Sequence, residues 1–197
     1  KQHLLRPEVL YVCGQAYLLG ETPDWAKAEG LFRQLVTEFP KHQHTPAATV
    51  RIGYCLYRGT KFDPAVAHLG KTLPGLADPS LKAEAGLLLG RSHLAAKRPG
   101  PATTAFRAAL AADAKWERAD ELLYVLAVAL KEQKQLAPAA VELNKLQSQY
   151  PKSGFRDRVL YELGDIARAQ EKPDAAVAAF RKVVAEFPKS DVSPLAQ

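Results

Sequence analysis

The fold is decided by a repeat that is clearest in residues 153–189, SGFRDRVLYELGDIARAQEKPDAAVAAFRKVVAEFPK. Apolar residues recur at helical spacing on both sides of the turn at 171–174, which predicts two amphipathic helices joined by a short connection. The same register returns every 37 residues at an alanine and, four residues later, at a Phe or Leu: Ala28, Ala65, Ala102, Ala139 and Ala176, with Phe32, Leu69, Phe106, Leu143 and Phe180. A period of this length is typical of solenoids, whose units bury their apolar faces against their neighbours.

The repeat predicts an all-α chain of about five helical hairpins in a single domain over 1–197. The expected units are 6–41, 42–78, 79–115, 116–152 and 153–189, with 190–197 as the start of a truncated sixth. The expected helix pairs are 6–20 with 24–39, 45–59 with 63–73, 79–96 with 101–113, 117–133 with 137–149, and 154–170 with 174–187. The Pro- and Gly-containing stretch 73–79 should shorten the second helix of its unit.

Small residues recur in the first helix of each unit, and we expect each to face the periodic alanine of the second helix. They are Gly53, Gly90, Ala127 and Gly164. Because a Gly in mid-helix costs about 1 kcal/mol relative to Ala, its recurrence indicates a close approach of two helices. The Phe or Leu of the second helix is expected to fill the space between units.

Composition excludes several classes of protein. The net charge of +6 is spread over nearly every helix, without a run of five basic residues, so nucleic-acid binding is disfavoured. No apolar stretch is long enough to insert into a membrane. Cys13 and Cys55 lie in apolar helical patterns and are expected to be buried, reduced and slow to react. Since Met is absent throughout, we expect the chain to be a fragment of a longer array.

Motifs for catalysis are absent from the sequence. There is no Gly-rich phosphate loop, nucleophile elbow or paired-carboxylate motif, so we expect neither an enzyme nor a cofactor site. His42 and His44 lie close together, but a metal needs three or four ligands and no Cys or carboxylate cluster accompanies them, so a solvated loop is expected.

The chain resembles the tetratricopeptide repeat family, whose repeat has a Leu-Gly pair, an aromatic residue, Ala-x-x-x-Phe and a Pro. These elements appear as Cys13-Gly14 with Tyr17, Leu163-Gly164, Ala28 with Phe32, Ala102 with Phe106, Ala176 with Phe180, and Pro40, Pro151 and Pro188. The resemblance implies a right-handed superhelical solenoid. The period departs from the family's 34 residues, and the three additional residues are expected to lengthen the first helix of each unit. The first unit also has two additional residues near 21–23, and the family's early Trp is missing.

The aromatic-Pro-x-Ser ends of units, at 150–153 and 187–190, are similar to those of bacterial cell-envelope members of the family. Those members include outer-membrane-assembly lipoproteins and the coordinator of the Tol-Pal system. The resemblance therefore favours a periplasmic or envelope location over a cytoplasmic one, and leaves the oligomeric state open.

The resemblance also implies a concave groove, lined by first-helix residues at fixed offsets from the Gly, that binds a protein or peptide. At those offsets lie Tyr11, Gln15, Leu18, Val50, Arg51, Tyr54, Tyr57, Arg58, Leu87, Arg91, Leu94, Tyr124, Val128, Lys131, Tyr161, Asp165 and Arg168. The arginines favour a partner with acidic as well as apolar groups, while Glu84 and Glu121 are expected to dilute that charge at the rim. The alternative is a structural spacer or oligomerisation segment of a larger protein.

Overall fold

The computed structural model describes residues 2–196, with side chains from residue 5 onward. In that part of the chain the backbone forms helices and turns, without a strand. The chain divides into two compact units, Lys1–Ala114 and Lys115–Gln197. The prediction of an all-α chain of helical hairpins is confirmed, whereas a single repeat domain stays a prediction. Lys1 and Gln197, the ends of that predicted domain, lie outside the described residues.

The first unit contains three hairpins. Its helices are α1 Gln2–Leu19, α2 Trp25–Glu38, α3 Thr45–Arg58, α4 Phe62–Thr72, α5 Pro79–Ala95 and α6 Pro99–Ala112, with a 3₁₀ turn at Leu73–Gly75. The second unit contains two hairpins. Its helices are α7 Ala119–Glu132, α8 Leu136–Gln149, α9 Arg156–Ala169 and α10 Pro173–Glu186, with a 3₁₀ turn at Pro194–Ala196.

The predicted helix pairs are all present, and most boundaries agree within about three residues. Helix α1 begins earlier than predicted and contains Pro7. Helix α4 has 11 residues, whereas the second helices of the other hairpins have 14. Because Pro74 and Gly75 follow α4 directly in the 3₁₀ turn, the predicted shortening of this helix is confirmed.

Four hairpins turn through a non-glycine residue in the left-handed backbone region. These residues recur with the repeat: Thr60, Lys97, Lys134 and Glu171, with φ between 58° and 61°. The residue after each donates its backbone N–H to the last turn of the preceding helix, as Lys61 does to the carbonyl of Leu56 at 2.9 Å. This is the Schellman arrangement, which ends a helix and reverses the chain within a few residues. The first hairpin lacks it and uses the longer linker 20–24.

Lys134→Gly is expected to stabilise the second unit by about 0.5–1 kcal/mol. A left-handed conformation costs an L-residue with a Cβ about 1–2 kcal/mol, and glycine avoids most of that cost while losing more chain entropy on folding. The free energy of unfolding from urea denaturation measures the effect. Lys134→Ala is the matched control, because it removes the side chain but keeps the Cβ; an equal gain in both variants contradicts this account.

The glycines of the first helices face an aromatic or leucine side chain, not the periodic alanine. A Cβ added to Gly14 stands 2.6 Å from Phe32 Cε1, and one added to Gly164 stands 2.6 Å from Phe180 Cε1. Gly53 faces Leu69 and Gly90 faces Phe106 in the same way. The expected glycine–alanine contact is therefore wrong. Each ring or leucine lies on the glycine of its own hairpin. Phe32 and Leu69 also lie in core clusters with residues of the next hairpin's first helix, as expected.

The additional residues of the 37-residue period lie in the linkers between hairpins. Helices α3, α7 and α9 have 14 residues each, so the prediction of lengthened first helices is wrong for these three. Only α1 and α5, of 18 and 17 residues, are longer. The connections between hairpins are 39–44, 73–78, 113–118 and 150–155, each longer than the turn within a hairpin.

The Pro-x-Ser ends have a structural role in these linkers. The hydroxyl of Ser153 donates to Asp120 Oδ2 at 2.6 Å and accepts from the backbone N–H of Phe155 at 3.1 Å. Ser190 repeats both contacts, with Asp157 and with the N–H of Val192. In both cases the serine side chain connects the linker to the start of the first helix of the preceding unit.

The two cysteines differ in exposure, contrary to prediction. Both are free thiols, but Cys13 is exposed and Cys55 is buried. Burial, followed by the nearby Glu29 carboxylate, raises the pKa of the Cys55 thiol to about 12. Cys13 lies on the same face of α1 as the exposed Val9 and Val12.

A thiol reagent is expected to modify Cys13 rapidly and Cys55 slowly in the native protein. The reactive species is the thiolate, which burial suppresses at Cys55. Mass spectrometry of peptides after timed labelling at neutral pH separates the two sites, and labelling in denaturant is the control in which both react. If the two thiols of the native protein were labelled at comparable rates, α3 would have to open readily.

Candidate functional site

An aromatic and cationic cluster lies at the end of α3, on the face where the groove was predicted. The guanidinium carbon of Arg58 lies 4.4 Å from the centre of the Trp25 ring, and Arg58 Nη1 donates to the Tyr54 hydroxyl at 3.0 Å. Trp25 and Tyr54 meet edge to face at 5.9 Å. Arg58 is exposed and both rings are half-buried, so the cluster is ordered and still open to solvent.

Trp25 is held in place by the start of α2. It follows Asp24, whose carboxylate accepts the backbone N–H of Lys27 at 2.9 Å and caps the helix. The indole packs against a core cluster that includes Phe32 and Leu35. Tyr54 and Arg58 therefore reach the second helix of the preceding hairpin.

Tyr11 and Gln15 of α1 are half-buried and lie together. Gln15 Nε2 donates to the Tyr11 hydroxyl at 3.4 Å, and the Tyr11 ring stacks on His44 at 4.4 Å. His42 pairs with Glu8 at 3.1 Å. The two histidines are thus packed and hydrogen-bonded, not simply solvated. Among the described residues, no group of three or more His, Cys, Asp or Glu could hold a metal ion.

Arg51 of α3 forms an ion pair with Glu84 of α5. Both side chains are mostly buried, at 28% and 15% exposure. Glu84 was expected to dilute the positive charge from the rim, but it neutralises Arg51 directly. Arg91, also on α5, is half-buried.

Three residues predicted to line the groove serve the core instead. Val50 and Leu87 are fully buried, so neither is available to a partner, and Leu87 leaves the candidate site. Tyr57 is half-buried against two core clusters, one that includes Phe32 and Leu35 and one that includes Leu69 and Leu88. Its ring lies 6.1 Å from Phe62.

In the second unit, a charge network joins α7 to α9. Lys131 Nζ donates to Glu162 at 2.5 Å and to Asp165 at 2.9 Å, and Arg168 donates to Asp165 at 2.5 Å. Burial disfavours the Lys131 ammonium, but its hydrogen bonds to Asp165 and Glu162 outweigh that effect and raise its pKa. The hydrogen bond from Lys131 lowers the pKa of the Asp165 carboxyl against the opposing effect of burial. These four charges neutralise one another.

The remaining predicted residues of this unit are half-buried. The Tyr124 ring stacks on Phe155 at 5.2 Å, and burial raises the pKa of its hydroxyl. Tyr161 lies 5.6 Å from Phe180, between ring centres. Val128 is half-buried on α7. The structure therefore brings the second-unit residues together as a packed and internally paired surface.

Sequence reasoning missed Trp25 and the pairing of the cations with acidic side chains. Trp25 lies at the start of a second helix, outside the first-helix offsets that were used to predict the groove. A signal for the pairs was present in the sequence. Glu84 and Glu162 follow Arg51 and Lys131 by slightly less than one repeat period, which places opposite charges on successive first helices.

A second open surface lies on α10. Its hollow of about 620 Å³ is mostly apolar and is lined by Val177, Phe180, Arg181, Val184, Ala185 and Ala196. Phe180 is half-buried here, whereas Phe32, Phe106, Leu69 and Leu143, at the same place in their hairpins, are fully buried.

Comparison with known sequences gives one family. The family model described as "Tetratricopeptide repeat" matches residues 121–153 and 158–190. A search of the curated proteins finds no sequence match to this chain. No helix in the described residues is both long and apolar enough to cross a membrane.

Solved structures show the same fold over nearly the whole chain. A tetratricopeptide repeat protein from Parabacteroides merdae aligns with a TM-score of 0.80 at 14% identity, covering 97% of this chain and 70% of its own. Pseudomonas aeruginosa PilF aligns with a TM-score of 0.75 at 17% identity, covering 96% of this chain and 80% of its own. PilW, a type IV pilus biogenesis factor, aligns with a TM-score of 0.76 at 23% identity, covering 96% of this chain and 81% of its own. Residues 121–153 and 158–190 therefore each match a tetratricopeptide repeat, and the chain has the fold of the tetratricopeptide repeat proteins.

Proposed function

We propose that this protein is a non-catalytic interaction module that binds a peptide or protein through the first-unit face of α1, α3 and α5. Tetratricopeptide repeats in general present surfaces to protein partners. The observation that carries the proposal is the Trp25–Tyr54–Arg58 cluster. It combines two half-buried rings with an exposed guanidinium, and Trp, Tyr and Arg are the residues that dominate binding energy at protein interfaces.

The residues proposed to contact a partner lie around this cluster. Tyr11 and Gln15 extend the surface along α1, and Arg51 and Arg91 extend it towards α5. Since Arg51 is paired with Glu84, it contributes packing area and hydrogen bonds more than net charge. The partner that fits has apolar groups for the rings and acidic groups for the exposed arginine.

Replacing Tyr54 and Arg58 together with alanine is expected to weaken binding by about 2 kcal/mol, or roughly 30-fold in Kd. The probe is the tightest peptide selected from a display library of random twelve-residue segments, synthesised with both ends blocked. Titration calorimetry measures the Kd, and circular dichroism confirms that helicity is unchanged.

The matched control is Val177→Ala with Arg181→Ala in the hollow of α10. Loss of binding in this control but not in the Tyr54/Arg58 variant moves the site to α10. Failure of this library, and of a second one whose peptides have free C-terminal ends, to yield any binding peptide contradicts the interaction proposal itself.

We further propose a location in the bacterial cell envelope. The proposal is supported by the Pro-x-Ser ends of the 37-residue units and by the likeness of fold to PilW, a type IV pilus biogenesis factor. Fractionation of the source cells followed by immunoblotting tests it. Recovery in the periplasmic or membrane fraction is expected, and recovery only with cytoplasmic markers contradicts it.

A further inference from the structure

The cations that were predicted to line the groove differ in whether a carboxylate of this chain already neutralises them. Arg51 pairs with Glu84, Lys131 with Glu162 and Asp165, and Arg168 with Asp165. Arg58 has no carboxylate partner within the part of the chain that the structure describes. Its contacts are with the ring of Trp25 and with the ring and hydroxyl of Tyr54. An arginine held only by neutral groups keeps its full charge for a ligand.

The two aromatic residues also fix the direction of the Arg58 guanidinium. The Trp25 ring lies 4.4 Å from its central carbon, and the Tyr54 hydroxyl occupies one of its five N–H groups at 3.0 Å. Contact with an aromatic face leaves the edges of a guanidinium available, and those edges match the two oxygens of a carboxylate. Because the side chain is already ordered, less conformational entropy is lost when it binds.

We infer that Arg58 is the anchor for an acidic side chain of the bound segment, with an adjacent apolar residue of that segment on the exposed parts of Trp25 and Tyr54. This inference rests on the proposed function and adds the chemistry of the partner at one position. We assign the carboxylate to an Asp or Glu within the segment, and the experiment distinguishes it from the carboxylate of a chain end. Trp25 and Tyr54 act as positioning residues for Arg58 as well as contact surfaces.

The test selects peptides from the same random display library, joined to the display protein at both ends, on three immobilised proteins. Selection on the wild type is expected to enrich Asp and Glu at one position beside an apolar residue. Selection on Arg58→Gln is expected to lose that enrichment. Selection on Arg58→Glu is expected to replace it with Lys or Arg, because the charge of the anchor is reversed.

Binding of one selected peptide then measures the contact directly. Arg58→Gln, or replacement of the peptide's acidic residue by its amide, should each weaken binding about tenfold or more, and the two changes together should add little to either alone. Arg58→Lys keeps the charge but cannot form the bidentate pair with a carboxylate, so its affinity should lie between those of the wild type and Arg58→Gln. Circular dichroism of each variant shows whether the fold is retained.

Three outcomes overturn this inference alone and can be told apart. If peptides selected on the wild type lack acidic enrichment but their binding still depends on Tyr54, the acidic anchor is wrong and the binding face is right. Acidic enrichment that persists on Arg58→Gln assigns the charge to another residue. Binding restricted to a second library with free C-terminal ends assigns the carboxylate to a chain end. If no peptide from either library is selected on any protein, both this inference and the proposed function fail.

Discussion

Phe106→Ala is expected to lower the free energy of unfolding by about 3–5 kcal/mol. The Phe106 side chain is fully buried and its ring lies on Gly90, so its loss leaves a cavity between α5 and α6 that neither backbone can close. Urea denaturation followed by circular dichroism measures the change. Phe180→Ala is the matched comparison: its ring lies on Gly164 in the same way but is half-buried, so the loss should be clearly smaller.

Gly90→Ala tests the same contact from the other side. A Cβ at Gly90 stands 2.7 Å from Phe106 Cζ and closer still to other ring atoms, so the buried ring must shift. We expect a loss of about 1–3 kcal/mol in spite of the better helix propensity of alanine. Gly30→Ala in α2 is the control, because nothing lies within 4 Å of its added Cβ, and should gain up to about 1 kcal/mol.

The two changes should not be additive. Once Phe106 is an alanine, the Cβ at position 90 meets empty space, so Gly90→Ala should become neutral or favourable in that background. An equal cost of Gly90→Ala in both backgrounds would mean that the glycine is needed for some reason other than the ring.

Ala139→Leu is expected to destabilise the second unit by about 1–3 kcal/mol, whereas Ala137→Leu should change stability by less than about 0.5 kcal/mol. Ala139 is fully buried where α8 packs on α7, and a leucine there has three more carbon atoms than the site holds. Ala137 is exposed in the first turn of α8. Equal melting temperatures of the two variants would show that the repeat register is wrong.

The helices could be predicted because the repeat presents the same information five times. Each unit shows apolar residues at helical spacing, a break, and a second run that ends near a proline or polar turn. Tyr54 and Arg58 could be placed on a common surface for the same reason, since they lie one helical turn apart. Periodicity fixes what lies on one helix face and where each helix ends.

Contacts between helices could not be predicted from the period. Whether Gly90 meets Ala102 or Phe106 depends on how far one helix is shifted along the other, and both alternatives preserve the same period. Leu87 was assigned to the groove by offset, but α5 buries that position fully. Cys13 shows the reverse error: its offset matches that of the buried Ile52 in α3, yet the corresponding face of α1 is exposed.

The glycine–ring contacts join helices that are adjacent in the chain, and this has a consequence for the order of folding. Closing a short loop costs little entropy, so each hairpin can form early and serve as a nucleus for its neighbours. Domains dominated by such local contacts fold fast and do not depend on one obligatory nucleus. A substitution at Gly90 should therefore slow or block folding of the hairpin formed by α5 and α6. The hairpins of the second unit should still form their helices, which leaves a partly folded intermediate.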